Sequence, residues 1–102
     1  MAEIIGLQIT PQDNVATVFS TETRAGETVA VTARTGRVCP LTALTAIPYG
    51  HKIAVTDIEE GDAIVKYGEV IGRASAGIRA GEHVHVHNME SCRGRGDLEE
   101  TA

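Results

Sequence analysis

Four histidines occupy only two places in this 102-residue chain: His51 in Gly50-His51-Lys52, and His83, His85 and His87 in the run His83-Val84-His85-Val86-His87-Asn88. An imidazole can bind a divalent cation, move a proton near neutral pH or hydrogen-bond without further chemistry, so the relative placement of the rings decides their use. On an extended strand the three rings of the run project from one face, while Val84 and Val86 project from the other into a core. Neighbouring rings then begin about 6.5–7 Å apart at Cα, and two of them can reach one cation at roughly 2.0–2.2 Å from each nitrogen. His83 and His87, at about twice that separation, cannot share a metal unless the strand bends. The run therefore offers one or two ligands, and a catalytic metal needs the rest from elsewhere, such as another subunit. A hydrogen-bonded row at a subunit interface and a general acid or base fit the same spacing. Lys52 can hold a carboxylate, although a solvated lysine is the commoner outcome. Arg93 and Arg95, flanking Gly94, can present two guanidinium forks to a carboxylate or sulfonate, or form part of a solvated tail. Cys92 stands close to the histidine run but is not expected to be a ligand.

These side chains need strands to position them. Short stretches alternate with period two: Ile5, Leu7 and Ile9; Val15, Thr17 and Phe19; Val29, Val31 and Ala33. The one competing helical pattern, Leu41, Leu44 and Ile47, is bracketed by Pro40 and Pro48 and predicts at most a single turn. A turn motif recurs three times: Thr23-Arg24-Ala25-Gly26-Glu27-Thr28-Val29, Ile58-Glu59-Glu60-Gly61-Asp62-Ala63-Ile64 and Ile78-Arg79-Ala80-Gly81-Glu82-His83-Val84. In each copy the glycine can take positive φ at the end of a tight corner, after which the chain enters a strand. Lys66-Tyr67-Gly68-Glu69 reads as a hairpin with its turn at Gly68. The expectation is a mostly β, sharply bent domain over residues 1–90, followed by a flexible tail, 91–102, that is ordered only against a partner.

Composition excludes other classes. A net charge of −5 is wrong for non-specific nucleic-acid binding, which needs clustered cations on phosphates. No apolar run is long enough for a membrane helix. The first residues show no basic stretch followed by an apolar block, so a cytoplasmic location is expected, with Cys39 and Cys92 as free thiols.

The blocks Tyr49-Gly50-His51-Lys52-Ile53-Ala54-Val55-Thr56-Asp57-Ile58-Glu59-Glu60-Gly61-Asp62, Val65-Lys66-Tyr67-Gly68-Glu69-Val70-Ile71-Gly72 and Ala80-Gly81-Glu82-His83-Val84-His85-Val86-His87-Asn88 resemble, in order and spacing, the SAF (antifreeze-like) domain of altronate and galactarate dehydratases. The resemblance extends to the split members of that family, including the small subunit of sulfolactate sulfo-lyase, whose tail is similar to Ser91-Cys92-Arg93-Gly94-Arg95-Gly96-Asp97-Leu98. It implies a β-clip fold, an iron-type divalent metal (Fe2+, with Mn2+ or Mg2+ as substitutes) and a separately encoded large catalytic subunit. It further implies β-elimination from an anionic sugar acid or a sulfonated hydroxy acid. Carried over residue by residue, it marks His51, His85 and His87 as catalytic candidates and His85 and His87 as metal ligands. Lys52 and Asn88 join Arg93 and Arg95 as substrate-binding candidates. A homo-oligomer in isolation is compatible with this reading. So is the alternative of a non-catalytic SAF module that binds a sugar acid or regulates a partner enzyme.

Overall fold

The protein is described by a computed structural model over residues 4–20 and 22–91. The abundance of Val, Ile, Thr and Ala, interrupted every few residues by Gly or Pro, gives strands and corners and no helix among the described residues. The strands are β1 (Ile5–Gln8), β2 (Val15–Phe19), β3 (Glu22–Thr23), β4 (Thr28–Ala33), β5 (Val38–Thr42), β6 (Ile47–Pro48), β7 (Lys52–Ala54), β8 (Ala63–Lys66), β9 (Glu69–Ala74), β10 (His83–Val84) and β11 (Met89–Ser91). Six of them form one curled sheet in the order β10-β7-β2-β1-β4-β5, three form a second, β11-β9-β8, and β3 pairs with β6. Within the large sheet only β1 and β4 run parallel. The mostly β, SAF-like fold expected from the sequence is the fold observed. The segment around Leu41, Leu44 and Ile47 contains no helical turn: Leu41 belongs to β5 and Ile47 to β6.

The core is split into two clusters that share one wall. Val15, Ala54, Ile58, Ile64, Ala74, Ile78 and Val84 form one cluster. Ala16, Val18, Val29, Val31, Ala43, Ile47 and Ile53 form the other. The paired strands β2 and β7 supply residues to both, so alternate side chains of the same strand are buried on opposite faces. Simple alternation in Val15, Thr17 and Phe19 therefore does not predict exposure: Val15, Ala16, Thr17 and Val18 are all buried, and Phe19 is the exposed one.

The threefold turn motif is one structure used three times. In each copy the acidic residue accepts a hydrogen bond from the backbone N–H three positions earlier: Glu27 from Arg24 at 2.7 Å, Asp62 from Glu59 at 3.1 Å and Glu82 from Arg79 at 2.9 Å. The intervening glycine has positive φ each time, at 94°, 92° and 97° for Gly26, Gly61 and Gly81. Its N–H then donates to an alanine carbonyl of another strand or its flank: Ala43, Ala74 and Ala54 respectively. The second and third copies also face each other, since Ile58 and Ile78 exchange reciprocal backbone hydrogen bonds of 2.7 Å. Gly81 is the tightest copy, because a Cβ there would collide with the Thr42 carbonyl oxygen.

The β8–β9 hairpin is fastened to the β1–β2 connection by two adjacent polar residues. The Asp13 carboxylate accepts hydrogen bonds from the backbone N–H groups of Ile9, Thr10, Tyr67 and Gly68 and from the Thr10 hydroxyl, between 2.6 and 3.3 Å. Asn14 accepts from the Val65 N–H at 2.7 Å and donates to the Ala63 carbonyl at 2.8 Å. Burial alone would raise the Asp13 carboxyl pKa, but the hydrogen bonds from the Thr10 side chain, Gly68, Tyr67 and Thr10 outweigh it and hold the group below its ordinary value. The hairpin turn falls at Tyr67 and Gly68, as the sequence predicts, and both have positive φ, 56° and 78°.

Pro40 sits in the middle of β5, the outer strand at one end of the large sheet. It pairs with Ala30, whose own N–H points the other way, to Ile4 on the β1 side. The proline nitrogen consequently faces the open edge and costs the β4–β5 ladder nothing.

Candidate metal centre

The imidazoles are brought together by one strand pair and one turn. Strand β10 pairs antiparallel with β7, with His83 opposite Ile53 and Val84 opposite Lys52. His51, two residues before Ile53, therefore lies diagonally across from His83 on the same side of the ladder. The expected extended run stops at Val84. From His85 the chain turns, because Asn88 folds back on it: Asn88 Oδ1 accepts from the His85 N–H at 3.0 Å, and Asn88 Nδ2 donates to the His83 carbonyl at 2.9 Å. The turn is completed by the Asn88 N–H, which donates to the His85 carbonyl at 3.1 Å. As a result Val84 is fully buried, whereas Val86 is 76% exposed and does not pack into the core as alternation predicts.

The bend closes the gap that a straight strand would leave. His51 Nδ1 and His83 Nε2 are 2.8 Å apart, a hydrogen bond whose donor depends on the tautomers. The His85 ring stacks on His51 with centroids 4.1 Å apart and planes inclined by 22°. One ring nitrogen from each of His51, His83 and His85 lies within 4.8 Å of the others. His87, exposed, sets its ring 5.0 Å from that of His83. An open depression of about 420 Å3 beside the rings is lined by Thr45, Glu82, His83, His87 and Asn88 among others.

The electrostatics disfavour a charge on His83 and His85. Burial first, then the neighbouring His51, His87 and His85 imidazoles and Lys52, bring His83 down to about 4. Burial, followed by His51, Lys52 and His87, also lowers His85. Lys52 is half-buried, and its pKa is lowered by that burial and by the nearby positive charge of Lys66. No carboxylate pairs with any of these cations within ion-pair distance among the described residues, where the pair found is Arg24 with Glu22.

A divalent cation fits this donor set. His85 Nδ1 is buried and lacks a hydrogen-bond partner, a condition that costs about 1–3 kcal/mol unless something else uses the lone pair or the N–H. Neutral imidazoles with converging nitrogens are also the form that metals take. Of the residues singled out by sequence, His51 and His85 are in the trio and His87 stands beside His83. Lys52 immediately follows His51 and opens β7, and its charge acts on His83 and His85. Asn88 is buried with both amide atoms engaged by the backbone of the turn. Arg93 and Arg95, with Cys92 and the rest of the expected tail, lie outside the described residues. His83 belongs to the histidine run but was not among the residues carried over from the resemblance, and its meeting with His51 depends on pairing with β7, a contact between residues thirty positions or more apart that spacing within the run does not report.

Fold and site together define a small all-β domain that gathers imidazoles at the rim of its main sheet. Comparison with known proteins makes this specific: residues 5–92 match the model of the altronate/galactarate dehydratase SAF domain, and the chain belongs to that family. Over 48 residues it is 52% identical to the (2R)-sulfolactate sulfo-lyase subunit alpha of Chromohalobacter salexigens, covering 47% of this chain and 51% of that protein. It is 58% identical over 45 residues to the altronate dehydratase of Bacillus subtilis, covering 44% of this chain and 9% of that enzyme. With the altronate dehydratase of Escherichia coli it shares 40% identity over 85 residues, 83% of this chain and 16% of the enzyme. The chain thus spans about half of the sulfo-lyase subunit and a small fraction of the dehydratases, in a family whose named members are lyases.

Proposed function

We propose that this chain is the small subunit of a metal-dependent lyase that eliminates water from a sugar acid, or sulfite from a sulfonated hydroxy acid, and that it acts only with a large catalytic partner. The observation that carries the reading is the convergence of ring nitrogens from His51, His83 and His85, alongside a buried His85 Nδ1 that has no partner. These three residues would hold the cation, with Fe2+ favoured and Mn2+ or Mg2+ as substitutes. When bound, the cation supplies Lewis acidity that stabilises negative charge developing on the substrate carboxylate.

In the elimination, a base contributed by the partner would take the proton on the carbon bearing the carboxylate. The C–H electrons form a carbon–carbon double bond, and the group on the next carbon leaves with its bonding pair. A departing hydroxide needs a proton, whereas sulfite leaves as the anion. His87, exposed at the depression and next to His83, would transfer that proton. Lys52 offers an ammonium to a substrate oxygen, and Asn88 positions His85 by closing the turn. The partner would complete the walls of an otherwise open depression and contribute the remaining groups.

The test is reconstitution. The chain is co-purified with its large partner and assayed with ferrous ion against altronate, galactarate and sulfolactate. Bound iron is then measured in His51→Ala, His83→Ala and His85→Ala. Loss of both iron and elimination is expected in each variant. Unchanged iron and turnover in all three would end the proposal, and a large partner that turns over normally without this chain would favour the non-catalytic module.

A further inference from the structure

Tyr67 is the sole residue other than glycine with positive φ among the described residues, at 56°. A tyrosine is an unfavourable choice there, since two-residue hairpin turns of this type favour Asn or Asp at the first position and Gly at the second. The strained backbone is nevertheless held firmly, because Asp13 accepts hydrogen bonds from both Tyr67 N–H and Gly68 N–H, at 2.9 and 2.8 Å. The side chain so placed reaches back to the sheet: Tyr67 Oη donates to Thr17 Oγ1 at 3.4 Å. Thr17 is in turn the register partner of Lys52, so the two side chains share a face of the β2–β7 ladder. The Lys66 ammonium lies over the Tyr67 ring, 5.0 Å from its centroid. Glu69, which pairs with Lys66 across the turn, is not within ion-pair distance. Two ammonium groups and two hydroxyls are thereby gathered next to the histidine-bearing strand, and among the described residues no carboxylate lies within ion-pair distance of either ammonium.

We propose that Lys66, Tyr67 and Thr17, together with Lys52, form an anion site that takes a second charged group, carboxylate or sulfonate, of the hydroxy acid. The assignment rests on the lyase reading and narrows it to substrates with two anionic ends. Lys52 and Lys66 supply the charge. The Thr17 hydroxyl, which accepts from Tyr67 Oη, keeps its own proton as a directional donor, and the turn conformation fixes the ring over which Lys66 lies. The left-handed tyrosine is the price of that placement.

The test uses the full chain, isotope-labelled, titrated with tartrate and, separately, with isethionate at constant ionic strength against a sodium chloride control. Saturable shifts at the Thr17, Tyr67 and Gly68 amides are expected, and the stronger of the two ligands tells carboxylate from sulfonate. Lys66→Met should weaken binding at least fivefold. Tyr67→Asn, a residue at ease with positive φ, should weaken it at least threefold while melting at or above the wild-type temperature. A Tyr67→Asn chain that melts below the wild type would show the ring to be a packing element and overturn the proposal. So would amides that respond no more to either ligand than to chloride, or wild-type affinity in Lys66→Met. His83→Ala should retain the response, so loss of the metal reading and loss of this one give different results.

Discussion

The Asp13 carboxylate and the His85 Nδ1 nitrogen are both buried polar groups at turns, and they are treated in opposite ways. Around Asp13 the chain supplies five donors to one carboxylate, more than enough to offset its burial, and the result is a fastening between the β1–β2 connection and the β8–β9 hairpin. Around His85 the chain supplies stacking rings and leaves Nδ1 with nothing to bond. A polar centre that is fully satisfied serves the fold. Thr23 Oγ1 is likewise buried without a partner, so it is the convergence of three imidazoles at His85, added to the missing bond, that points to a ligand. The same chain can evidently satisfy a buried group when stability is the purpose.

The most severe way to break this comparison is at Asp13. Asp13→Ala strands several buried N–H donors at once and should cost about 3 kcal/mol or more, read as a lower midpoint in denaturant. Gly81→Ala should cost several kcal/mol as well, since it adds a collision with the Thr42 carbonyl to a φ of 97°, whereas Gly61→Ala, with open space around it, should cost only about 1 kcal/mol. His85→Leu sharpens the contrast, because removing an unsatisfied nitrogen should leave the metal-free chain as stable or up to about 1 kcal/mol more stable while abolishing iron binding. Thermal melts with a chelator present check the first half and metal analysis the second.

Acid separates the two centres more gently. His83 has a folded-state pKa of about 4, below the ordinary 6.5, so the unfolded chain binds more protons between those values. Stability of the metal-free chain should therefore decline as pH falls from about 6.5 towards 4, and His83→Gln should flatten that slope. Asp13, whose pKa is lowered, contributes stability that is present above its unfolded value of 3.8 and is lost only as pH falls below it. Denaturation followed from pH 7 to pH 3 should show the histidine effect first.

Much of this was legible in the residues. The repeated Gly-acid turn appeared as a sequence motif and proved to be one hydrogen-bonding pattern used three times, because its acid, glycine and spacing are all local. The Tyr67-Gly68 hairpin was local too. The imidazole trio was half legible: His85 and His51 were singled out, but His83 joined them only through the pairing of β10 with β7. Val86 was misread for a related reason, since alternation assumes a strand and says nothing of an asparagine three residues on whose amide curls the backbone. In β2, alternation failed because two cores lie on either side of it.

Pro40 guards one end of the large sheet. An incoming strand that approached β5 would find no amide proton at the centre of that edge, so growth by stacking copies there is blocked at its middle rung. At the opposite end, the N–H and carbonyl of His83 in β10 are already engaged by the Thr45 hydroxyl and the Asn88 amide of the same chain. Backbone pairing is thus capped at both ends of the sheet, and a second polypeptide that meets the histidines would do so through side chains.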